Sequence, residues 1–184
     1  MQFATAAVTI EQEVARILST VQEGDVQALL RALLNARSVF VFGAGRVGLA
    51  AQAFAMRLAQ LGLRCVWVGD ITMPPIGPGD LLLVCSGSGE TATVRVVAEL
   101  AVKRGADVAT ITRDPQASIG RLCRVAVRLG GKTAIGEETV VSQQPLVTLW
   151  EQALFLLLDG VVMLLMERLG QTSAAMKQRS MNLE

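Results

Sequence analysis

Apolar residues follow two rhythms along this chain. One recurs every three or four positions and lays a stripe along one side of an α-helix. The other is a closed run of four or five, the pattern of a strand buried on both faces of a parallel sheet. Residues 81–85, LLLVC, show the second rhythm without a polar interruption. The run ends at Ser86-Gly87-Ser88-Gly89-Glu90-Thr91, and Val94, Val97, Ala98 and Ala101 then trace one side of a helix over residues 91–104. Upstream, Val14, Ile17, Leu18 and Val21 make one helical stripe, Gly24-Asp25 interrupts it, and Val26, Leu29, Leu30, Leu33 and Leu34 make another. Further strands are predicted at residues 38–42 (SVFVF, rich in β-branched and aromatic residues), 64–68, 107–111 and 124–128.

Turn chemistry divides these elements. Gly43-Ala44-Gly45-Arg46-Val47-Gly48 leads from the first strand into a helix that reaches Leu61 and ends at Gly62. A loop over residues 72–79 holds three of the five prolines. A short helix is expected at residues 118–122. Pro145 closes a loop over residues 130–144 and opens a helix that reaches Leu169. A short polar helix is expected within residues 173–184. Strands alternating with helices imply a parallel sheet with right-handed crossovers. The predicted fold class is therefore α/β: a single doubly wound, flavodoxin-like sheet of five parallel strands flanked by helices. Residues 1–184 make one domain by length. N-terminal helices occupy residues 1–36, and a C-terminal helical tail, residues 170–184, is expected to pack on a partner subunit.

The helix over residues 145–169 is apolar nearly all round and long enough to raise the question of a membrane span. Glu151, Gln152, Asp159 and Glu167 interrupt it and no basic cluster flanks it, so a helix buried against the sheet and a neighbouring subunit is predicted instead, with no membrane partner. A chain that is 52% hydrophobic and 18% charged can form a large core and an apolar homo-oligomer interface. Its net charge of +1 and 4% aromatic content argue against a nucleic-acid surface. Cys65, Cys85 and Cys123 lie in or beside apolar runs without CxxC spacing and read as reduced thiols of a cytoplasmic protein. No histidine is present, which removes the commonest metal ligand and the commonest acid–base group near neutrality. No metal and no cofactor are expected. The opening MQFATAAVTIEQEV lacks a basic segment, so no secretory signal is expected.

Two glycine-rich loops fall at the C-terminal ends of predicted strands, where ligands of such sheets bind. In residues 86–91 the glycines let backbone N–H groups converge at a helix N-terminus that carries positive partial charge. Hydroxyls add donors, so Ser86, Gly87, Ser88, Gly89 and Thr91 form a candidate cradle for a phosphate. The alternative is a Ser/Gly turn with an N-cap, but hydroxyls at alternate positions exceed what one cap needs. The earlier loop, Gly43-x-Gly45-x-x-Gly48, matches a dinucleotide fingerprint, with Asp70 near the place of its ribose-binding acid. Arg46 weighs against that reading, because it brings fixed charge where a dinucleotide site uses backbone. A small phosphorylated molecule held between the two loops fits better, with Gly45 and Arg46 as binding residues. A surface salt bridge is the other role open to Arg46.

Together, VFGAGRVG and CSGSGET resemble the sugar isomerase (SIS) domain. Within it, AGRVGLAAQAFAMRLAQLG, GDITMPPIGPGDLLLVCSGSGET, QPLVTLWEQALFLLLDG and the ending NLE are similar to the 6-phospho-3-hexuloisomerase family over residues 38–184. The resemblance implies a cytosolic homotetramer that interconverts 3-hexulose 6-phosphate and fructose 6-phosphate. That reaction serves formaldehyde assimilation by the ribulose monophosphate pathway, or pentose phosphate supply. The chain departs from the family pattern at Val47, where the family carries serine. It departs again at Ser180, where the family's RHANLE tail carries a histidine credited with proton transfer or ring opening.

Moving a carbonyl between C3 and C2 requires a proton to leave one carbon and return to its neighbour, through a cis-enediolate. Glu151 is the candidate base. It is a carboxylate inside an apolar helix, where desolvation favours the neutral acid, and it matches the family's glutamate within Trp150-Glu151-Gln152. A pairing with an arginine or a helix end is its structural alternative. Glu184 is the second catalytic candidate, placed to reach a neighbouring subunit's site. Lys132 offers charge from the loop, and Asp159 reads as structural. Two other functions stay open: a non-catalytic sugar-phosphate-binding SIS protein, suggested by the missing histidine, and an isomerase for another sugar phosphate such as arabinose 5-phosphate.

Overall fold

The computed structural model describes residues 1–130, 141–180 and 182. Two helices, α1 (Phe3–Leu18) and α2 (Glu23–Asn35), precede β1 (Val39–Gly43), and α3 (Gly45–Gln60) leads on to β2 (Cys65–Trp67). A long connection reaches β3 (Leu81–Cys85), followed by α4 (Ala92–Lys103), β4 (Asp107–Thr112), a single 3-10 turn at Gly120–Leu122 and β5 (Val125–Arg128). α5 (Thr148–Arg168) and α6 (Ser173–Lys177) complete the described elements. The strands form one parallel sheet in the order β2-β1-β3-β4-β5. This is the doubly wound, flavodoxin-like arrangement, and its strand order reverses between β1 and β3. Val39 stands opposite Leu81 and Gly43 opposite Cys85, so the loops after β1 and β3 emerge side by side.

Alternation along the strands divides their side chains between two cores. Val39, Val41, Leu81, Leu83, Ile111 and Val127 share one core with α1, α2, α3 and α5. Phe40, Leu82, Val84 and Val108 share the other with α4. Every residue of β3 is buried. Burial also pushes the thiols of Cys65, Cys85 and Cys123 up to about 12, which leaves them protonated and poorly nucleophilic.

The break between the first two helices lies at residues 19–22 rather than at Gly24-Asp25. Ser19 Oγ and Thr20 Oγ1 donate to the carbonyls of Arg16 and Ile17 and finish α1. Glu23 and Asp25 lie in the first turn of α2, where acidic side chains complement the helix dipole. α5 packs against α3, α1 and α2. Its other side leaves Phe155, Leu156 and Met163 exposed. By length and composition α5 could cross a membrane, and half of its most apolar stretch is buried inside the fold. The tail rests on its own chain at the end of α3: Met176 is buried, Arg179 Nη1 donates to Gln60 O, and Gln60 Nε2 donates to Ser180 Oγ.

Asp80 locks the N-terminal end of β3. Its buried carboxylate accepts from Arg37 Nε at 3.0 Å, Arg37 Nη2 at 2.7 Å and Gly77 N at 2.9 Å. The Arg37 hydrogen bonds hold the carboxyl below its ordinary value of 3.8, against the opposing effect of burial. In the unfolded chain the same group binds its proton at higher pH, so this contribution is present above 3.8 and is lost as pH falls below it. Thermal denaturation from about pH 6 down to about pH 3 is expected to show a falling Tm. Asp80→Asn should lower Tm at the upper end and flatten that fall; an equal slope in parent and variant would contradict the assignment.

Candidate functional site

The site begins with the way each loop leaves its strand. After β1 the chain turns through Ala44 into α3, whose N-cap side chain makes no capping bond. Gly48 lies against the strand end, where a Cβ would stand 2.6 Å from the Gly43 carbonyl oxygen. The spacing that imitates a dinucleotide fingerprint thus serves close packing of helix on strand. Asp70 is engaged in its own turn, accepting from Thr72 N at 2.9 Å and Thr72 Oγ1 at 2.8 Å. Gly45 opens α3 with a φ of 58°, and Arg46 follows it. Arg46 Nε lies 2.9 Å from Glu151 Oε2; the arginine side chain is 61% exposed and the glutamate 12%. Both roles considered for these residues meet in one contact: the carboxylate proposed as a base is paired with the arginine proposed to bind anion.

After β3 the chain closes on itself. Ser86 is buried, with Oγ 2.9 Å from Thr91 Oγ1. Ser88 Oγ accepts from Glu90 N at 3.1 Å, which leaves the Ser88 hydroxyl proton for another acceptor. Thr91 is the N-cap of α4, yet its side chain accepts no hydrogen bond from the first turn. N–H groups without a side-chain cap at a helix start are suited to an anion. Gly89 adopts a φ of 68°. Its N–H donates to Ser86 O at 3.1 Å, and its carbonyl accepts from Ile119 N at 3.0 Å. Glu90 Oε1 accepts from Ser118 N at 2.7 Å, and hydrogen bonding from the Ser118 side chain and then from its backbone holds the Glu90 carboxyl below its ordinary value.

Gly87 ties this loop to α5. Its carbonyl accepts from both N and Nε of Arg113 at 3.2 Å. The Trp150 ring lies 3.3 Å from the position a Gly87 Cβ would take, and Trp150 Nε1 donates to Leu129 O at 3.0 Å. Trp150 precedes Glu151, so the serine loop, the Arg46 loop and the start of α5 converge at the C-terminal end of the strands. A cavity of about 270 Å³ opens beside them, lined in part by Arg113, Gly130, Ser142, Gln144 and Trp150. A cavity of about 360 Å³ at the opposite, N-terminal end of the strands, near Asn35, Asp107 and Arg124, contains none of these site residues. Sequence reasoning missed Arg113 and the role of Trp150; the one available signal was the position of Trp150 beside Glu151. Glu184 and Lys132 lie outside the described residues.

Comparison with known proteins agrees with this fold. The SIS domain family model matches residues 32–156. A 3-hexulose-6-phosphate isomerase of Bacillus subtilis (strain 168) is 38% identical over 153 residues, covering 83% of this chain and 83% of that protein. A 3-hexulose-6-phosphate isomerase of Mycobacterium gastri is 36% identical over 175 residues, covering 95% of this chain and 88% of that one. Among solved structures, a hypothetical protein of Methanococcus jannaschii, whose crystal structure infers a molecular function of 3-hexulose-6-phosphate isomerase, matches with a TM-score of 0.82 at 25% identity. That match covers 98% of this chain and 99% of the other.

The serine loop's shape depends on Gly89. A Cβ there would stand 2.5 Å from Ala117 Cβ, on a residue with φ of 68°. The left-handed backbone alone costs a substituted residue about 1–2 kcal/mol, and displacing Ala117 adds to it. Gly89→Ala is expected to lower Tm in thermal denaturation, and an unchanged Tm would contradict the described turn.

Proposed function

The chain belongs to the SIS domain family and is a sugar-phosphate isomerase, and we propose that it interconverts 3-hexulose 6-phosphate and fructose 6-phosphate. The observation that carries this reading is the convergence of a hydroxyl-lined helix start, Arg46 and Glu151 at the switch point of the sheet. The similarity to two named isomerases of that sugar supports the choice of substrate. In this reading the phosphate rests on the start of α4, held by backbone N–H groups and by the hydroxyls of Ser88 and Thr91, with Arg46 within reach of it. The carbon chain then extends toward Glu151. The carboxylate takes the proton from C2 of the 3-ketose, and the electron pair moves onto the C3 oxygen to give a cis-enediolate. Glu151 returns the proton to C3 while the hydroxyl proton passes from O2 to O3 and the carbonyl forms at C2. Arg46 keeps a positive charge beside the carboxylate in the free chain and beside the enediolate during turnover. Three free cysteines, Cys85 buried and Cys65 and Cys123 half-buried, support a cytoplasmic setting.

The protein is also proposed to be a homo-oligomer, with the tetramer number resting on the family resemblance. An apolar groove of about 530 Å³ runs between α1 and α5, lined in part by Ile10, Val14, Leu18, Phe155 and Leu156. Gln152, which also lines it, holds a buried Oε1 with no hydrogen-bond partner among the described residues. A second copy covering this groove would remove the apolar surface from water. Placement of the tail and Glu184 near a neighbour's site belongs to the same proposal. Sedimentation equilibrium at micromolar concentration should show a species heavier than one chain; a stable monomer would sink this part.

The division of labour predicts opposite kinetic signatures. Glu151→Gln keeps size and hydrogen-bonding shape but cannot accept a proton, so kcat should fall by about two to four orders of magnitude with KM much less affected. Ser88→Ala removes a hydroxyl donor to phosphate and should weaken substrate binding by about 1 kcal/mol or more. Steady-state kinetics with 3-hexulose 6-phosphate reads both. Turnover by Glu151→Gln within about threefold of the parent rules out the base, and an unchanged KM in Ser88→Ala rules out the cradle. A parent without turnover leaves the non-catalytic binding reading in its place.

A further inference from the structure

We propose that Glu13 is a positioning residue for the isomerase site, fixing the start of α5 from the far side of the chain; this rests on the functional reading above. Glu13 stands on α1 and is 2% exposed. Its carboxylate is engaged by one short segment. Ser142 Oγ donates to Oε2 at 2.7 Å, Gln144 Nε2 donates to the same oxygen at 2.9 Å, and Gln143 N donates to Oε1 at 2.8 Å. Gln144 N donates in turn to Ser142 Oγ at 3.0 Å, which ties the donors together. Burial pushes the Glu13 carboxyl up, but these three hydrogen bonds and the charge of Arg16 outweigh it and hold the group below its ordinary value. Charge-assisted bonds of this kind are the strong ones.

The chain between this anchor and the site is short. Pro145 follows Gln144, Leu146 takes a φ of 55°, and Val147 is the N-cap of α5. Leu146 is 98% exposed. A leucine in the left-handed region is unfavourable, and no burial compensates it here, so the segments on either side impose it. On one side stands the Glu13 anchor. On the other stands Trp150, packed beneath Gly87 and bonded to Leu129 O. Thr20, in the turn just beyond the end of α1, also accepts from Gly130 N on its Oγ1 at 3.1 Å, next to the residue that supplies the Trp150 acceptor. Glu13 therefore sets where α5 begins, and with it where Trp150 meets the serine loop and where Glu151 meets Arg46.

Glu13→Gln keeps the side chain's size but turns an acceptor oxygen into a donor facing donors. Trp67 and Trp150 are the two tryptophans, so a Trp67→Phe background isolates Trp150. In that background Glu13→Gln should increase acrylamide quenching of Trp150 fluorescence at a temperature where circular dichroism shows both proteins folded. With 3-hexulose 6-phosphate, kcat should fall by about tenfold to a hundredfold, while KM moves by less than about threefold because the phosphate donors Ser88 and Thr91 at the start of α4 stay in place. Gln144→Ala should give a weaker form of both effects, and adding it to Glu13→Gln should cost little more, since the two act through one contact. Unchanged quenching, unchanged kcat, a rise in KM alone or additive costs would each overturn the proposal. If Glu13→Gln does not fold, Gln144→Ala decides by the same two readouts. A parent that turns over no 3-hexulose 6-phosphate overturns the functional reading instead, and Trp150 quenching still decides whether Glu13 holds α5.

Discussion

β3 is closed to solvent on both faces and paired along both edges, with β1 on one side and β4 on the other. Residues 81–85 carry no polar side chain other than a thiol, since an unpaired polar group there would lose its water without replacement. Polar chemistry is displaced to its two ends. At the N-terminal end Asp80 is buried against Arg37 and serves stability. At the C-terminal end the chain passes into Ser86 and the turn that opens α4. The parallel arrangement then brings the Gly43–Gly48 turn alongside, because β1 pairs with β3 in register. The buried strand thus gives the molecule one end for mechanical closure and the other for ligand chemistry.

The second half of the site comes from α5, which is not part of the sheet and must be aimed at it. Its apolar side packs on α3, α1 and α2, and that packing fixes the helix axis. Packing of smooth apolar side chains specifies the axial position of a helix less sharply than directional bonds do. The Trp150 bond to Leu129 O and the Glu13 bonds to residues 142–144 supply that direction. Arg46 in the first turn of α3 and Glu151 in the first turn of α5 then meet where these two packed helices begin.

Much of this was legible in the sequence because it is local. LLLVC followed by alternating hydroxyls and glycines identifies β3 and its loop to the residue, since a closed apolar run and a turn leave no other register. Glu151 was legible as a carboxylate out of place in an apolar helix. Gly24 misled, because glycine reads as a helix breaker while two flanking acids make an equally good helix start. Arg46 and Glu151 were each singled out, yet their pairing stayed one alternative among others, as no local pattern joins residues so far apart. Glu13 was passed over for the same reason. It lies between apolar stripe positions like any solvated charge, and its three partners are 129 to 131 residues away.

The central claim is that one carboxylate carries a proton between C2 and C3 of a phosphorylated sugar. Converting 3-hexulose 6-phosphate in deuterium oxide and reading the product by NMR tests it most directly. A carboxylate that holds the proton between two carbons exchanges it with solvent in part, so the account predicts deuterium at C3 of fructose 6-phosphate. Product carrying only the substrate's own hydrogen at C3 would point to a direct hydride shift and contradict it, as would the absence of any product.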